Sequence, residues 1–264
     1  WARMAHIHGW LRDPRCELVV LCDTKVDVAR QAASEYGISE FSDNWQEVVS
    51  RKDLDIIDIC TPSQTHYEIS KASIEHGKHV LCEKPIAYDY IHTSGLAKMA
   101  RRKGLKTKLG FTFRYTPAMR YAKELISSGF IGSPYIFNGY EQNSQFLNPD
   151  TPLRTSQVKT KKPGLNVSSL EGYGAPIIDI SNWWMGSPYT AVIGTMRNFV
   201  QERSIRGLPG YHKVNIDDAS MFIAEYQNGG IGSIQTSYVT IGNFPGVEAR
   251  IYGQEGAIIV RTVL

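Results

Sequence analysis

Apolar residues in the first 110 positions follow two alternating patterns. Short, nearly continuous runs fill 17–23, 55–60, 79–82 and 106–111. Each is long enough for a strand buried on both faces and too short for a helix. Between them lie stretches of helical spacing. Met4, Ile7, Trp10 and Leu11 give a first helix, closed by Pro14. Further helices are predicted over 27–36 (stopped by Gly37), 45–50, 64–76 (ended by Gly77, with Thr61 and Ser63 available as caps) and 90–103. Strand and helix alternate throughout, which argues for a parallel sheet with right-handed crossovers.

The pattern changes after Arg114. A helix over 117–128 begins with Pro117 and ends at Gly129. Residues 133–146 alternate like a strand, 148–174 read as a long loop rich in Pro, Thr, Ser, Lys and Gly, and 177–185 form a helix with a Trp183-Trp184 pair. Strands follow at 191–202, 219–226, 230–239, 247–252 and 257–261, with Asn228-Gly229 as a hairpin turn. The expected fold is α/β, a parallel-sheet domain followed by an α+β domain with a large, mostly antiparallel sheet. The boundary falls near 111–115, dividing the chain into 1–113 and 114–264.

Composition adds limits. The 264 residues carry a net charge of +3, too little to argue for nucleic acid or an anionic membrane. The single basic knot, Lys159 to Lys162, lies in the polar loop and reads as solvated. No stretch approaches a membrane span. Cys16, Cys22, Cys60 and Cys82 sit in or beside predicted buried strands without metal-like spacing, and suit core positions in a reducing compartment such as the cytoplasm. The chain opens on Trp1 and closes on a strand, so a fragment truncated at both ends is expected, and a leader could not be seen.

Candidate chemistry centres on 79–85. The strand ends in Glu83-Lys84-Pro85, and proline cannot continue a central strand. A lysine at the C-terminal end of a parallel strand stands where open α/β sheets bind ligands, and desolvation suits it to acid/base work. A solvated lysine on a loop has the same sequence. Asp23 ends another strand. In a dinucleotide site an acid there bonds the adenosine ribose hydroxyls and disfavours a 2′-phosphate. That points to NAD, with Lys25 leaving NADP open. The same aspartate could instead cap the following helix.

The order Cys22-Asp23, Ile59-Cys60-Thr61-Pro62 with His66, Cys82-Glu83-Lys84-Pro85 and Gly110-Phe111-Thr112-Phe113-Arg114-Tyr115 resembles the Gfo/Idh/MocA oxidoreductases. The Asn228-Gly229 hairpin and the run from Ile251 to Gly256 look like that family's second domain. The resemblance implies a Rossmann-type first domain, a second domain with an open sheet, and hydride transfer between NAD(P) and a sugar, cyclitol or related polyol, with assembly into a homo-oligomer through the C-terminal sheet. It places Ala2 at the third small residue of the dinucleotide fingerprint, with the earlier glycines and first strand before Trp1. Thr61, Pro62 and His66 would lie along the cofactor, Glu83 near the nicotinamide ribose, and Arg114 near the cofactor. Lys84 would contact the substrate hydroxyl and shuttle its proton, and the Lys84–Pro85 bond is a candidate for cis. The family's Asp-x-x-x-His motif falls on Gly172 and Pro176, and proline cannot replace an imidazole. Tyr173 is the substitute candidate, with Glu171 and Asp179 nearby in sequence; Asp179 and Arg154 are candidate substrate contacts, and Lys159 could join Arg154 on a carboxylate or phosphate. No other histidine is an obvious replacement, His6 and His8 being on the first helix. The missing pair motivates an alternative reading, a cofactor-binding sensor without turnover. Relatives that oxidise transiently with retained NAD offer a third. Trp183-Trp184 reads as core packing.

Overall fold

A computed structural model describes residues 1–153, 168–243 and 246–263. The chain forms two compact units, Trp1–Gly110 and Phe111–Leu264. In the first unit a wide turn, Ala2–His6, runs into α1 (Ile7–Arg12). Then come β1 (Val20–Cys22), α2 (Val26–Tyr36), β2 (Glu40–Ser42), α3 (Trp45–Ser50), β3 (Ile56–Ile59), α4 (Ser63–Glu75), β4 (His79–Cys82), α5 (Tyr90–Arg102) and β5 (Thr107–Leu109). β1 pairs parallel with β2, and β4 lies between β3 and β5, parallel to both. Local chemistry sets the helix ends. Asn44 accepts hydrogen bonds from the Gln46 and Glu47 amides to start α3, and Asp89 accepts from the His92 amide to start α5. Gly37 closes α2 at φ 70°, a conformation that costs a residue with a Cβ. Ile57, Ile59, Val80 and Cys82 pack against Ile69 and Ile74 of α4 and Leu96 and Ala100 of α5. Burying each larger aliphatic side chain contributes about 1.5–3 kcal/mol.

The second unit starts with a 3₁₀ turn, Thr112–Tyr115, followed by α6 (Pro117–Ser127) and β6 (Pro134–Gln142). A π-helical turn, Ser169–Gly174, leads into α7 (Ala175–Met185). The remaining strands are β7 (Tyr189–Arg197), β8 (Glu202–Ser204), β9 (Tyr211–Lys213), β10 (Ala219–Tyr226), β11 (Ile231–Ser237), β12 (Gly246–Gly253) and β13 (Ala257–Val263). Six form one sheet in the order β13-β12-β6-β11-β10-β7, while β8 and β9 make a separate hairpin. The β6–β11 pair is parallel and the other pairs of the large sheet are antiparallel. On its covered face Phe137, Ile234, Val247, Ala249 and Ile251 pack with Ile177, Ile180 and Trp184 of α7. Gly139 permits that approach, since a Cβ there would lie 2.5 Å from Ile177 Cγ1.

Several expectations need correction. The apolar stripe of the first helix is buried only in part: Met4 and Leu11 are exposed, Ile7 is buried, and Trp10, half-buried, joins His6 against carboxylates. β2 and β9 carry no long apolar run and exist through their pairing. The strand expected over 191–202 ends at Arg197, and β8 is distinct from it. The expected loop over 148–174 contains helical turns at Ser169–Gly174, because Ser168 caps them by accepting from the Glu171 amide. Among the described residues no helix is long and apolar enough to cross a membrane.

Candidate functional site

The strand ends of the first unit carry its chemistry. Asp23 follows β1 and is exposed, and its Oδ1 accepts from the Lys25 amide at 2.9 Å. The carboxylate therefore shapes the turn into α2 while standing open to solvent. Thr61 and Pro62 follow β3 and are exposed, and α4 starts after Pro62 with no side-chain cap on its first amides. His66 follows in α4. Its ring is buried, with Nδ1 2.7 Å from the Pro85 carbonyl and Nε2 2.7 Å from the Thr61 carbonyl. It ties the turn after β3 to the turn after β4, so any effect on a cofactor passes through those loops. Ala2 lies in the opening turn.

Glu83 leaves β4 with its amide bonded to the Ile59 carbonyl at 2.9 Å, and its side chain is buried. Oε2 accepts from the Lys84 amide at 3.3 Å. Gly110 closes the other side, where a Cβ would stand 2.6 Å from Oε1. Lys84 is half-buried, and its bond to Pro85 is cis.

One group that the sequence reading set aside sits at the centre. His6 Nδ1 is 2.9 and 3.1 Å from the two oxygens of Asp58, and Nε2 is 3.2 Å from Glu83 Oε1. Trp10 Nε1 donates to Asp58 Oδ2 at 2.6 Å, and Cys60 Sγ lies 3.6 Å from Oδ1. Carboxylates accept and do not donate, so only an imidazolium satisfies both ends of this ring. Asp58 first, then Cys60 and Glu83, push the His6 pKa up to about 12 against the opposing effect of burial. The ligand atoms of His6, Asp58 and Cys60 lie within 4.8 Å of one another, but a protonated ring has no lone pair for a metal. The signal for this cluster was an acid, Asp58, inside the apolar run Ile56-Ile57-Asp58-Ile59. Such an acid requires a partner, and His6 and Trp10 stand four apart on one helical face.

In the second unit, Arg114 and Asp179 are bound to each other. Arg114 donates to both carboxylate oxygens of Asp179, with Nη2 to Oδ1 at 2.5 Å, and its guanidinium lies 5.1 Å from the centre of the Trp183 ring. The fork joins the 3₁₀ turn to α7. Trp184 is core, as expected, while Trp183 is only partly buried. Tyr173 donates from its hydroxyl to Gln145 Oε1 and stacks at 5.7 Å on Tyr238. Burial raises its pKa, which keeps it protonated as a donor. Pro176 is buried in the first turn of α7, and Gly172 donates to the Ser168 carbonyl at 2.8 Å. Glu171 borders a cavity of about 610 Å³ shared with Arg197, Asn198, Lys213 and Asp217. Arg154 and Lys159 lie outside the described residues.

Comparison with known proteins agrees with this layout. A family model described as an oxidoreductase family with NAD-binding Rossmann fold matches residues 1–111, and one for the GFO/IDH/MocA C-terminal domain matches 119–259. A levoglucosan dehydrogenase of Pseudarthrobacter phenanthrenivorans is 27% identical over 252 residues, covering 91% of this chain and 64% of the relative. An NAD(+)-dependent scyllo-inositol 2-dehydrogenase of Bacillus subtilis is 25% identical, covering 95% of this chain and 68% of the relative. A solved levoglucosan dehydrogenase, in complex with NADH and levoglucosan, superposes with a TM-score of 0.84 at 26% identity, covering 92% of this chain and 63% of that one. The chain thus spans about two thirds of these relatives.

Proposed function

Because the chain belongs to the Gfo/Idh/MocA family of oxidoreductases, we propose that it forms part of an NAD-dependent dehydrogenase acting on a sugar, cyclitol or related polyol. The observation that carries this reading is the end of β4, where a buried glutamate is followed directly by a half-buried lysine. The residues present suit the cofactor. Asp23 is an exposed carboxylate at a strand end, fit for a ribose diol and repulsive to a 2′-phosphate. Thr61 and Pro62 lead into the uncapped amides of α4, which favour negative charge. Gly110 lacks the side chain that would crowd Glu83.

When bound, the nicotinamide supplies hydride chemistry. The chain supplies position and proton handling. The Lys84 side chain holds the substrate hydroxyl; as the neutral amine it takes that hydroxyl's proton while the carbon is oxidised, and it releases the proton to solvent afterwards. Tyr173, kept protonated by burial, is our candidate for a further donor to a substrate hydroxyl. The four thiols are free, which suits a reducing compartment, and we place the protein in the cytoplasm.

Lys84→Ala in the complete protein should lower kcat by about 10²-fold or more on a polyol that the wild type oxidises. NADH affinity, read by fluorescence titration, should stay within about threefold. Unchanged turnover in this variant removes Lys84 from the mechanism.

We also propose that a second copy of the chain covers the open face of the large sheet. Ile193, Ile223, Ile231 and Ile136 are exposed there, and register places Ile193 beside Ile223 and Ile231 beside Ile136. Met221 adds to the same face, two residues from Ile223. Contiguous apolar surface of this kind marks an interaction site more often than a solvated one.

A further inference from the structure

We propose that His6 is a positioning residue whose imidazolium, bound at Nδ1 by Asp58 and at Nε2 by Glu83, holds the Glu83 carboxylate in place at the end of β4. The inference rests on the reading in which Glu83 and Lys84 serve cofactor and substrate. It assigns a task to a histidine that touches neither.

The geometry carries the argument. Glu83 is buried, and a buried carboxylate left without a cation carries a penalty of several kcal/mol. His6 is the cation the structure puts against Oε1, at 3.2 Å. The ring cannot swing away, because Nδ1 is held by both oxygens of Asp58. Asp58 is fixed in turn by Trp10 at 2.6 Å. Gly110 leaves the space this carboxylate occupies, since a Cβ there would lie 2.6 Å from Oε1. Through its own Oε2, Glu83 also holds the Lys84 amide. The titratable groups facing His6 are Asp58 and Cys60, at β3 and its end, and Glu83, at the end of β4.

Removing the imidazolium leaves the buried Glu83 carboxylate without the cation at Oε1. In His6→Gln the acidic limb of the kcat/KM profile should move up by about 1–2 pH units relative to wild type, with kcat at pH 7 lowered about tenfold. Trp10→Phe, which removes the other donor to Asp58 but leaves the His6–Glu83 contact, should keep the wild-type limb. A limb that stays put in His6→Gln, or moves equally in Trp10→Phe, overturns the proposal.

A second measurement needs neither activity nor a folded variant. Imidazole ¹⁵N spectra of the wild-type protein should report His6 protonated on both nitrogens from pH 6 to about pH 9. A His6 ring that titrates near its ordinary value of 6.5 overturns the proposal. Stability should follow with a definite sign. The folded pKa lies above the unfolded one, so the His6 contribution is full below about pH 6.5 and declines as pH rises toward 12. Melting temperature should therefore fall from pH 7 to 9 more steeply in wild type than in His6→Gln. A protein that oxidises no polyol yet keeps His6 doubly protonated at pH 9 would sink the dehydrogenase reading and support the clamp.

Discussion

A buried carboxylate with a cation against one oxygen has little freedom, and Glu83 is in that position. Gly110 is what leaves room for it. Gly110→Ala would place a methyl 2.6 Å from Oε1 and 2.9 Å from Cδ, so the Glu83 side chain must shift from its present position. The expected result is a protein destabilised by about 1–3 kcal/mol in urea unfolding, with NADH affinity weakened about tenfold. Wild-type values for both would mean that Glu83 moves without consequence. At this scale the sequence exposed some of the chemistry and hid the rest. Glu83-Lys84-Pro85 and Asp23 stood out because acids and a lysine at the ends of apolar runs are conspicuous. His6 did not, because a histidine among helical residues has no mark of its own until Asp58 and Glu83 are brought to it from 52 and 77 residues away. Arg114 and Asp179 are a parallel case, 65 residues apart, each read as a ligand contact and found paired with the other.

Between elements, a buried ion pair joins the hairpin β8–β9 to the large sheet. Arg203 of β8 and Asp218, just before β10, are each 1% exposed and 3.4 Å apart. Asp218 also accepts from the Phe199 amide at 2.9 Å and the Val200 amide at 2.8 Å, while Arg203 donates to the Phe146 carbonyl. Removing one partner strands the other charge. Asp218→Ala should lose about 3–5 kcal/mol in chemical denaturation, well above what a surface pair contributes. A loss under about 1 kcal/mol would mean that water reaches Arg203 and the pair is not structural. The hairpin itself was poorly legible, since β8 and β9 are three residues each and lack apolar alternation. The same holds for β2, where Phe41 is the only large apolar residue and the strand exists because Val20–Cys22 offers it a ladder. Long strands and helices with strong periodicity were legible to within a few residues, β10 among them.

In the whole molecule, the open sheet face makes the largest demand on a partner. Ile193 is 71% exposed and Ile223 59% exposed, side by side in register. If a second copy covers them, Ile223→Lys should turn the assembled complete protein into monomers by light scattering. Unchanged mass would place the interface elsewhere. The sequence alone determined that there are two units of different character, because the repeat of apolar positions changes from buried runs alternating with helices to two-residue alternation. It also showed where strands of the first unit end on charged residues, because runs end where acids, prolines and glycines interrupt them. Strand order, the parallel β6–β11 pair and the neighbours of each charged side chain were decided only by tertiary structure. Periodicity records how each segment faces a core, whereas pairing between segments depends on which distant surfaces and charges the folded chain brings within a few ångströms.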